Sequence, residues 1–133
     1  MSVSGSCLCG AVRFTCAASV GPAGYCHCAD CRKCTGSAFN VSVPCPTASF
    51  RIEQGDLGSF TKTGTSGSAI TRHFCRGCGS PVYTSSPRHV ETVYVKAGLL
   101  DDPSLVMPVR EAWTRSRVAW SVIPADIAHD EAG

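Results

Sequence analysis

The sequence lacks the features of several large classes of protein. It has no apolar run close to the roughly 20 residues that a membrane-spanning helix needs, so we expect no membrane partner. Basic and acidic residues are interspersed and the net charge is only +2, which gives no field that would hold a nucleic-acid backbone. The segment from Met1 to Cys7 has no basic start followed by an apolar run, so no secretory signal is predicted. The expected location is the reducing cytoplasm.

Histidine is also sparse, and internal repeats are missing apart from the paired cysteines. The four histidines never fall into the paired spacing of a histidine-ligated zinc site. A chain of 133 residues with 44% hydrophobic content suits a single domain with a modest core. We predict one domain over residues 1–123 and a loose C-terminal tail over residues 124–133, where the regular pattern is lost.

Cysteine, in contrast, is abundant. Of the ten cysteines, seven form three clusters: Cys7-Leu-Cys9, Cys26-His-Cys28-Ala-Asp-Cys31 and Cys75-Arg-Gly-Cys78. A thiolate binds zinc at about 2.3 Å, so cysteines a few residues apart on a tight turn can bind one ion together. A disulfide framework is the alternative, but cysteines this close in sequence rarely reach disulfide geometry, and the expected compartment is reducing. The spacing therefore favours zinc.

The clusters predict two zinc sites of different kinds. Cys7, Cys9, Cys75 and Cys78 can complete one tetrahedron, and a site closed by four thiolates is structural. A glycine follows each of these pairs, Gly10 and Gly79, and would let the backbone turn sharply and point N–H groups at the sulfurs. Cys26, Cys28 and Cys31 leave one corner free for water or a substrate atom, as catalytic zinc sites do.

Residues beside the second cluster have expected roles of their own. Arg32 and Lys33 follow Cys31 and would add positive potential for an anionic substrate, so both are predicted substrate-binding residues. Asp30 could orient a ligand. His27 is expected to point away from the metal, with a solvated or hydrogen-bonded ring.

The remaining cysteines leave alternatives open. Cys34, three residues after Cys31, could supply the fourth corner and make the second site structural. Neighbouring pairs within residues 28–34 could instead form a redox dithiol, although no strand-helix-strand pattern surrounds them. Cys16 and Cys45 are predicted to pack in the core.

Short β-segments separated by glycine and proline turns run through the chain. Five segments rich in β-branched and aromatic residues are predicted strands: 11–16, 38–43, 68–74, 81–84 and 92–95. Residues 28–34 alone read as a short helical turn. The pattern predicts a mainly β domain.

The motifs resemble the glutathione-dependent formaldehyde-activating enzyme family, also called the centromere protein V/formaldehyde-activating domain. The resemblance is carried by Gly5–Phe14, Cys26–Lys33 with Gly36, Arg72–Ser80, Val95–Pro103 and a region near Trp120. All three cysteine motifs occur in the family's order and spacing. Many members carry a histidine where this chain has Glu111.

The resemblance implies an Mss4-like fold, a zinc-containing antiparallel β-sheet domain with short helical turns. It implies a structural zinc on Cys7, Cys9, Cys75 and Cys78 and a catalytic zinc on Cys26, Cys28 and Cys31. The implied activity is that of a carbon–sulfur lyase on a thiol–aldehyde adduct such as S-hydroxymethylglutathione. Its partners would be a small thiol, such as glutathione, and formaldehyde. A non-catalytic zinc module that binds another protein is the second hypothesis.

Overall fold

The computed structural model describes residues 2–132, which form eleven β-strands and one short α-helix. The strands are β1 (Val3–Ser6), β2 (Arg13–Cys16), β3 (Ala23–Cys26), β4 (Asn40–Pro46), β5 (Phe50–Gln54), β6 (Leu57–Thr63), β7 (Ala69–Cys75), β8 (Pro81–Ser85), β9 (Thr92–Lys96), β10 (Pro108–Ala112) and β11 (Ala128–His129). The helix α1 spans Ala29–Thr35. Single 3₁₀ turns cover Thr47–Ser49, Pro87–His89, Ala97–Leu99, Pro103–Leu105 and Thr114–Ser116. The fold is mainly β, as predicted.

The strands form two sheets. The smaller sheet has three antiparallel strands in the order β1-β2-β5. The larger sheet has eight strands in the order β11-β10-β3-β4-β9-β8-β7-β6. Its pairings from β3 to β6 are antiparallel, whereas β10 runs parallel to both β3 and β11. The larger sheet is therefore mixed at the end that carries the second cysteine cluster.

The core lies between the two sheets and is built from small and β-branched residues. Phe14 of the smaller sheet and Val43, Val82 and Val95 of the larger sheet have no solvent-exposed surface. Such packing suits alternating strands, in which every second side chain faces the partner sheet. Cys16 and Cys45 are fully buried in the same core, which confirms their prediction as packing residues.

All five predicted strands are present, with boundaries shifted by a few residues, as β2, β4, β7, β8 and β9. The predicted helical turn is also confirmed as α1. Cys28 caps the N-terminus of this helix, and its sulfur accepts a hydrogen bond from the Cys31 N–H. Gly36 caps the C-terminus in the left-handed backbone conformation, at φ +70°.

The C-terminal segment contributes one strand to the larger sheet. Residues 128 and 129 of the predicted tail form β11, and the Asp130 N–H donates to the Glu111 carbonyl at 2.8 Å. The domain boundary at residue 123 stays a prediction. Within residues 2–132, no helix has the length and apolar character needed to cross a bilayer.

Candidate metal centres and active site

The first cluster brings together two pairs of cysteines that are distant from each other in sequence. The turn after β1 supplies Cys7 and Cys9, and the end of β7 with the following turn supplies Cys75 and Cys78. Their four sulfurs lie within 4.8 Å of one another, with 3.6 Å between Cys7 and Cys9 and 3.8 Å between Cys9 and Cys75. A tetrahedron with zinc–sulfur bonds of 2.3 Å has edges of about 3.8 Å. The donor set and its spacing therefore fit a zinc ion.

The two turns of this first cluster have the same local geometry. The Gly10 N–H donates to the Cys7 carbonyl at 3.1 Å, and the Gly79 N–H donates to the Cys75 carbonyl at 2.8 Å. Both glycines are in the left-handed region, with φ +80° and +78°. A side chain at that φ would be strained, so the glycine after each pair has the conformational role expected from the sequence.

Backbone N–H groups and a serine surround the sulfurs of the first cluster. The Val12 N–H donates to the Cys7 sulfur at 3.2 Å, and the Gly77 N–H donates to the Cys75 sulfur at 3.3 Å. Ser80 lies 3.2 Å from the Cys78 sulfur, and this hydrogen bond lowers the pKa of Cys78 to about 5. Such donors stabilise thiolates, the form of cysteine that binds metal.

The second cluster lies at the junction between β3 and α1. Cys26 is the last residue of β3, Cys28 precedes the first residue of α1, and Cys31 lies in its first turn. The three sulfurs lie within 4.8 Å of one another and are partly exposed. This group could hold a metal ion through three protein ligands, and it fits zinc in donor type.

The three thiols of the second cluster strongly affect one another's ionisation. Hydrogen bonds from Cys26 and Cys31 lower the pKa of Cys28 to about 2. Hydrogen bonding with Cys26 and Cys28 raises the pKa of Cys31 far above its usual value, because a second negative charge is unfavourable beside the first. A divalent cation would remove this conflict by attracting all three sulfurs as thiolates.

Cys34 lies outside this group of mutually close sulfurs. It follows Cys31 by one helical turn, and only the sulfurs of Cys26, Cys28 and Cys31 share the 4.8 Å cluster. The geometry thus leaves the fourth corner without a cysteine. Whether Cys34 closes the site after a metal has bound stays a hypothesis.

The charged residues around the second cluster differ in exposure. Arg32 is partly buried and Lys33 is exposed, both towards the C-terminal end of α1. The carboxylate of Asp30 pairs with Lys62 of β6 at 2.6 Å. Asp30 therefore connects α1 to the far edge of the larger sheet. The substrate-binding role of Arg32 and Lys33 stays a prediction.

His27 lies between two cysteines of the second cluster, and its ring is completely buried. Its Nε2 lies 2.7 Å from Glu111 Oε1, and Glu111 is also completely buried. Glu111 contacts His129 of β11 as well, and Arg117 lies 3.5 Å from Oε1. The sequence predicted a ring that is either solvated or hydrogen-bonded. The ring of His27 is hydrogen-bonded and buried.

A concave surface lies next to this buried pair. A cleft of about 500 Å³ is lined by residues 114, 117–119 and 121–123, and Arg117 in its wall reaches Glu111. Arg117 therefore connects the lining of the cleft to His27 through Glu111.

Sequence reasoning missed two polar residues near the second cluster. Lys96 of β9 and Asn40 of β4 are both buried, and Lys96 Nζ donates to Asn40 Oδ1 at 2.6 Å. A lysine followed by alanine and glycine at the end of a strand carries no sequence signal of burial. Only knowledge of the strand register could have predicted that Lys96 is buried beside Asn40.

The comparison with protein-family models shows which family the chain belongs to. The family model described as glutathione-dependent formaldehyde-activating enzyme matches residues 2–116. The chain belongs to this family. The resemblance that the cysteine motifs carried is thereby confirmed over most of the sequence.

Two individual proteins are similar to this member of the glutathione-dependent formaldehyde-activating enzyme family. A Halomonas elongata protein named "Putative glutathione-dependent formaldehyde-activating enzyme" is 34% identical over 114 residues, covering 76% of this chain and 67% of its own. A crystal structure of a Rhodobacter sphaeroides protein superposes with a TM-score of 0.58 at 24% identity, covering 74% of this chain and 87% of its own. The second similarity supports the fold alone.

Proposed function

We propose that this protein is a cytoplasmic, zinc-dependent carbon–sulfur lyase that acts on a thiol–aldehyde adduct such as S-hydroxymethylglutathione. The observation that carries the proposal is the second cluster, in which three cysteine sulfurs lie within 4.8 Å of one another and Cys34 stands apart. Three ligands and an open position are typical of catalytic zinc. Family membership and the name of the Halomonas elongata relative support the choice of substrate.

The proposed reaction breaks one carbon–sulfur bond. The hydroxyl group of the adduct gives its proton to solvent water, its oxygen becomes the carbonyl oxygen of formaldehyde, and the electron pair of the carbon–sulfur bond stays on sulfur. A bound zinc ion would supply positive charge that stabilises this sulfur as a thiolate. The reverse direction joins the thiol to the aldehyde.

The chain's own residues would hold and orient the reacting groups. Cys26, Cys28 and Cys31 would hold the metal, and the hydrogen bond between His27 and Glu111 fixes the turn that carries the first two. Arg32 and Lys33 add positive charge on the adjoining helix. Cys7, Cys9, Cys75 and Cys78 would hold a second, structural zinc that joins the two sheets.

A cysteine-to-serine variant tests the proposal. Serine is a favoured residue at the N-cap of a helix, so Cys28→Ser should keep α1 while removing one ligand. We expect the purified variant to hold one zinc instead of two, to remain folded by circular dichroism, and to lose turnover of the glutathione–formaldehyde adduct. The matched variant Cys34→Ser should keep both metals and the activity.

The opposite results would contradict the proposal. Turnover that persists in Cys28→Ser would exclude the cluster as the active site. A second zinc that is lost only in Cys34→Ser would show a closed site. Two metals with no turnover of any thiol–formaldehyde adduct would favour the hypothesis of a non-catalytic zinc module.

A further inference from the structure

Lys96 is a buried cation at the C-terminal end of β9. The residue is 8% exposed, and its Nζ donates to Oδ1 of Asn40, which is 7% exposed. Lysine is rarely buried unless its charge has a partner. Asn40 is neutral, so it satisfies one hydrogen bond without neutralising the charge.

The strand register places Lys96 next to the second cysteine cluster. Asn40 is the cross-strand partner of Cys26, and Lys96 pairs with Ser42 on the next strand. Residues 40 and 42 of one strand point to the same face of the sheet, so Cys26, Asn40 and Lys96 share that face. The ammonium group of Lys96 therefore contacts Asn40, which is the cross-strand neighbour of Cys26 in the cluster.

The strand register places a second cation on this face of the sheet. Arg72 of β7 pairs with Thr84, and Thr84 pairs with Tyr94, two residues before Lys96 in β9. Cross-strand partners and alternate residues of a strand point to the same face, so Arg72 and Lys96 share it.

No carboxylate neutralises this pair of cations. Among residues 2–132, the ion pairs of lysine and arginine side chains involve other residues, including Lys62 with Asp30 and Arg117 with Glu111, and they do not include Lys96. A lysine ammonium has three donors, and the contact with Asn40 uses one. The remaining donors of Lys96 suit an anionic ligand.

We propose that Lys96, assisted by Arg72, binds the carboxylate of an anionic thiol whose sulfur approaches the three-cysteine cluster. The inference rests on the proposed function and assigns the residue that would select thiols with a carboxylate over neutral thiols. Because Lys96 is buried, its charge is screened by salt far less than that of exposed Lys33.

The first experiment uses the wild-type protein and two thiols of nearly the same shape. Mercaptoacetate carries a carboxylate, and mercaptoacetamide replaces it with a neutral amide. Each is titrated into cobalt-substituted protein while the visible cobalt spectrum is recorded. A hydrogen bond to a charged group leads us to expect binding of mercaptoacetate at least about tenfold tighter than that of mercaptoacetamide.

Variants then assign this preference to Lys96. Lys96→Met removes the charge and should reduce the preference to about twofold or less, whereas Lys96→Arg keeps the charge and should retain most of it. Arg88→Met is the matched control, because it removes one positive charge from an exposed residue in the 3₁₀ turn Pro87–His89. It should bind both thiols as the wild type does.

The outcomes separate this inference from the function on which it rests. If neither thiol changes the cobalt spectrum, the open-site hypothesis fails. If both thiols bind the wild type equally, the site is open and the anion-binding role of Lys96 is wrong. That wild-type comparison holds even if Lys96→Met does not fold. A preference that persists unchanged in Lys96→Met would also overturn the role.

Discussion

His27 Nε2 lies 2.7 Å from Glu111 Oε1, and neither side chain has any solvent-exposed surface. The other ring nitrogen of His27, Nδ1, has no hydrogen-bond partner among the described residues. Among residues 2–132, Glu111 is therefore the one polar contact of a buried ring that lies between two cysteines of the second cluster.

Replacing Glu111 by alanine should destabilise the protein strongly. Glu111→Ala would leave both nitrogens of His27 buried without a partner, and we expect the free energy of unfolding to fall by about 3 kcal/mol or more. Glu111→Gln keeps an acceptor of the same length and should cost less. Urea unfolding measures both; equal losses in the two variants would contradict the assigned role of this hydrogen bond.

Removing metal should affect the first cluster most severely. Cys75→Ser, or a strong chelator, should lower the free energy of unfolding by several kcal/mol, because metal binding at such sites is coupled to folding. Cys45→Ala is the control, since Cys45 is equally buried but lies outside both clusters. Its metal content should be unchanged. A Cys75→Ser variant that melts like the wild type would show that the four-cysteine site is not structural.

The left-handed glycines give a prediction about backbone strain. At Gly79 an added Cβ would meet no atom within 4 Å, so the cost of Gly79→Ala is backbone strain at φ +78°, about 1 kcal/mol. Gly64→Ala is matched to it, because Gly64 is outside the left-handed region and its nearest contact would be an ordinary 3.7 Å to the Ser68 carbonyl. Thermal unfolding should separate the two variants; equal melting temperatures would contradict the strain argument.

The docking of β11 should weaken as the pH rises. A hydrogen bond to the Ala125 carbonyl and one to Glu111 raise the pKa of His129 above its usual 6.5, while Arg117 opposes the shift. A raised pKa means that this contribution is complete below pH 6.5 and is lost as the pH passes the raised value.

Amide hydrogen exchange measures this effect. Residues 125–131 should lose protection, after correction for intrinsic rates, as the pH rises above 6.5, and His129→Gln should remove that pH dependence. Protection that is constant over this range in the wild type would show that protonated His129 does not anchor the segment.

The parts of the fold that sequence predicted are those with local signals. Five strands rich in β-branched or aromatic residues were predicted, and cysteine spacing grouped the seven clustered cysteines correctly in space. The short strands β1, with the sequence Val-Ser-Gly-Ser, and β3, with Ala-Gly-Tyr-Cys, were missed. Their glycine, serine and alanine residues have low strand propensity, so pairing with neighbouring strands determines their conformation.

The residues around the second cluster could not have been predicted because their contacts are long-range. His27 and Glu111 are 84 positions apart, and Asn40 and Lys96 are 56 positions apart. These pairs depend on the parallel pairing of β3 with β10 and on the register of β4 with β9. Neither feature can be predicted from the local spacing of residues in the sequence. The partly exposed cysteines were recognisable, whereas the buried polar residues that support them were not.

The two cysteine clusters become complete at different stages of protein synthesis. Cys26, Cys28 and Cys31 lie within six consecutive residues, so a nascent chain could bind metal there early. The first cluster must wait for Cys78, and the ring of His27 has no partner until Glu111 leaves the ribosome. Because domains form their long-range contacts only after the last participating strand has emerged, the second site would be loaded before it is rigid.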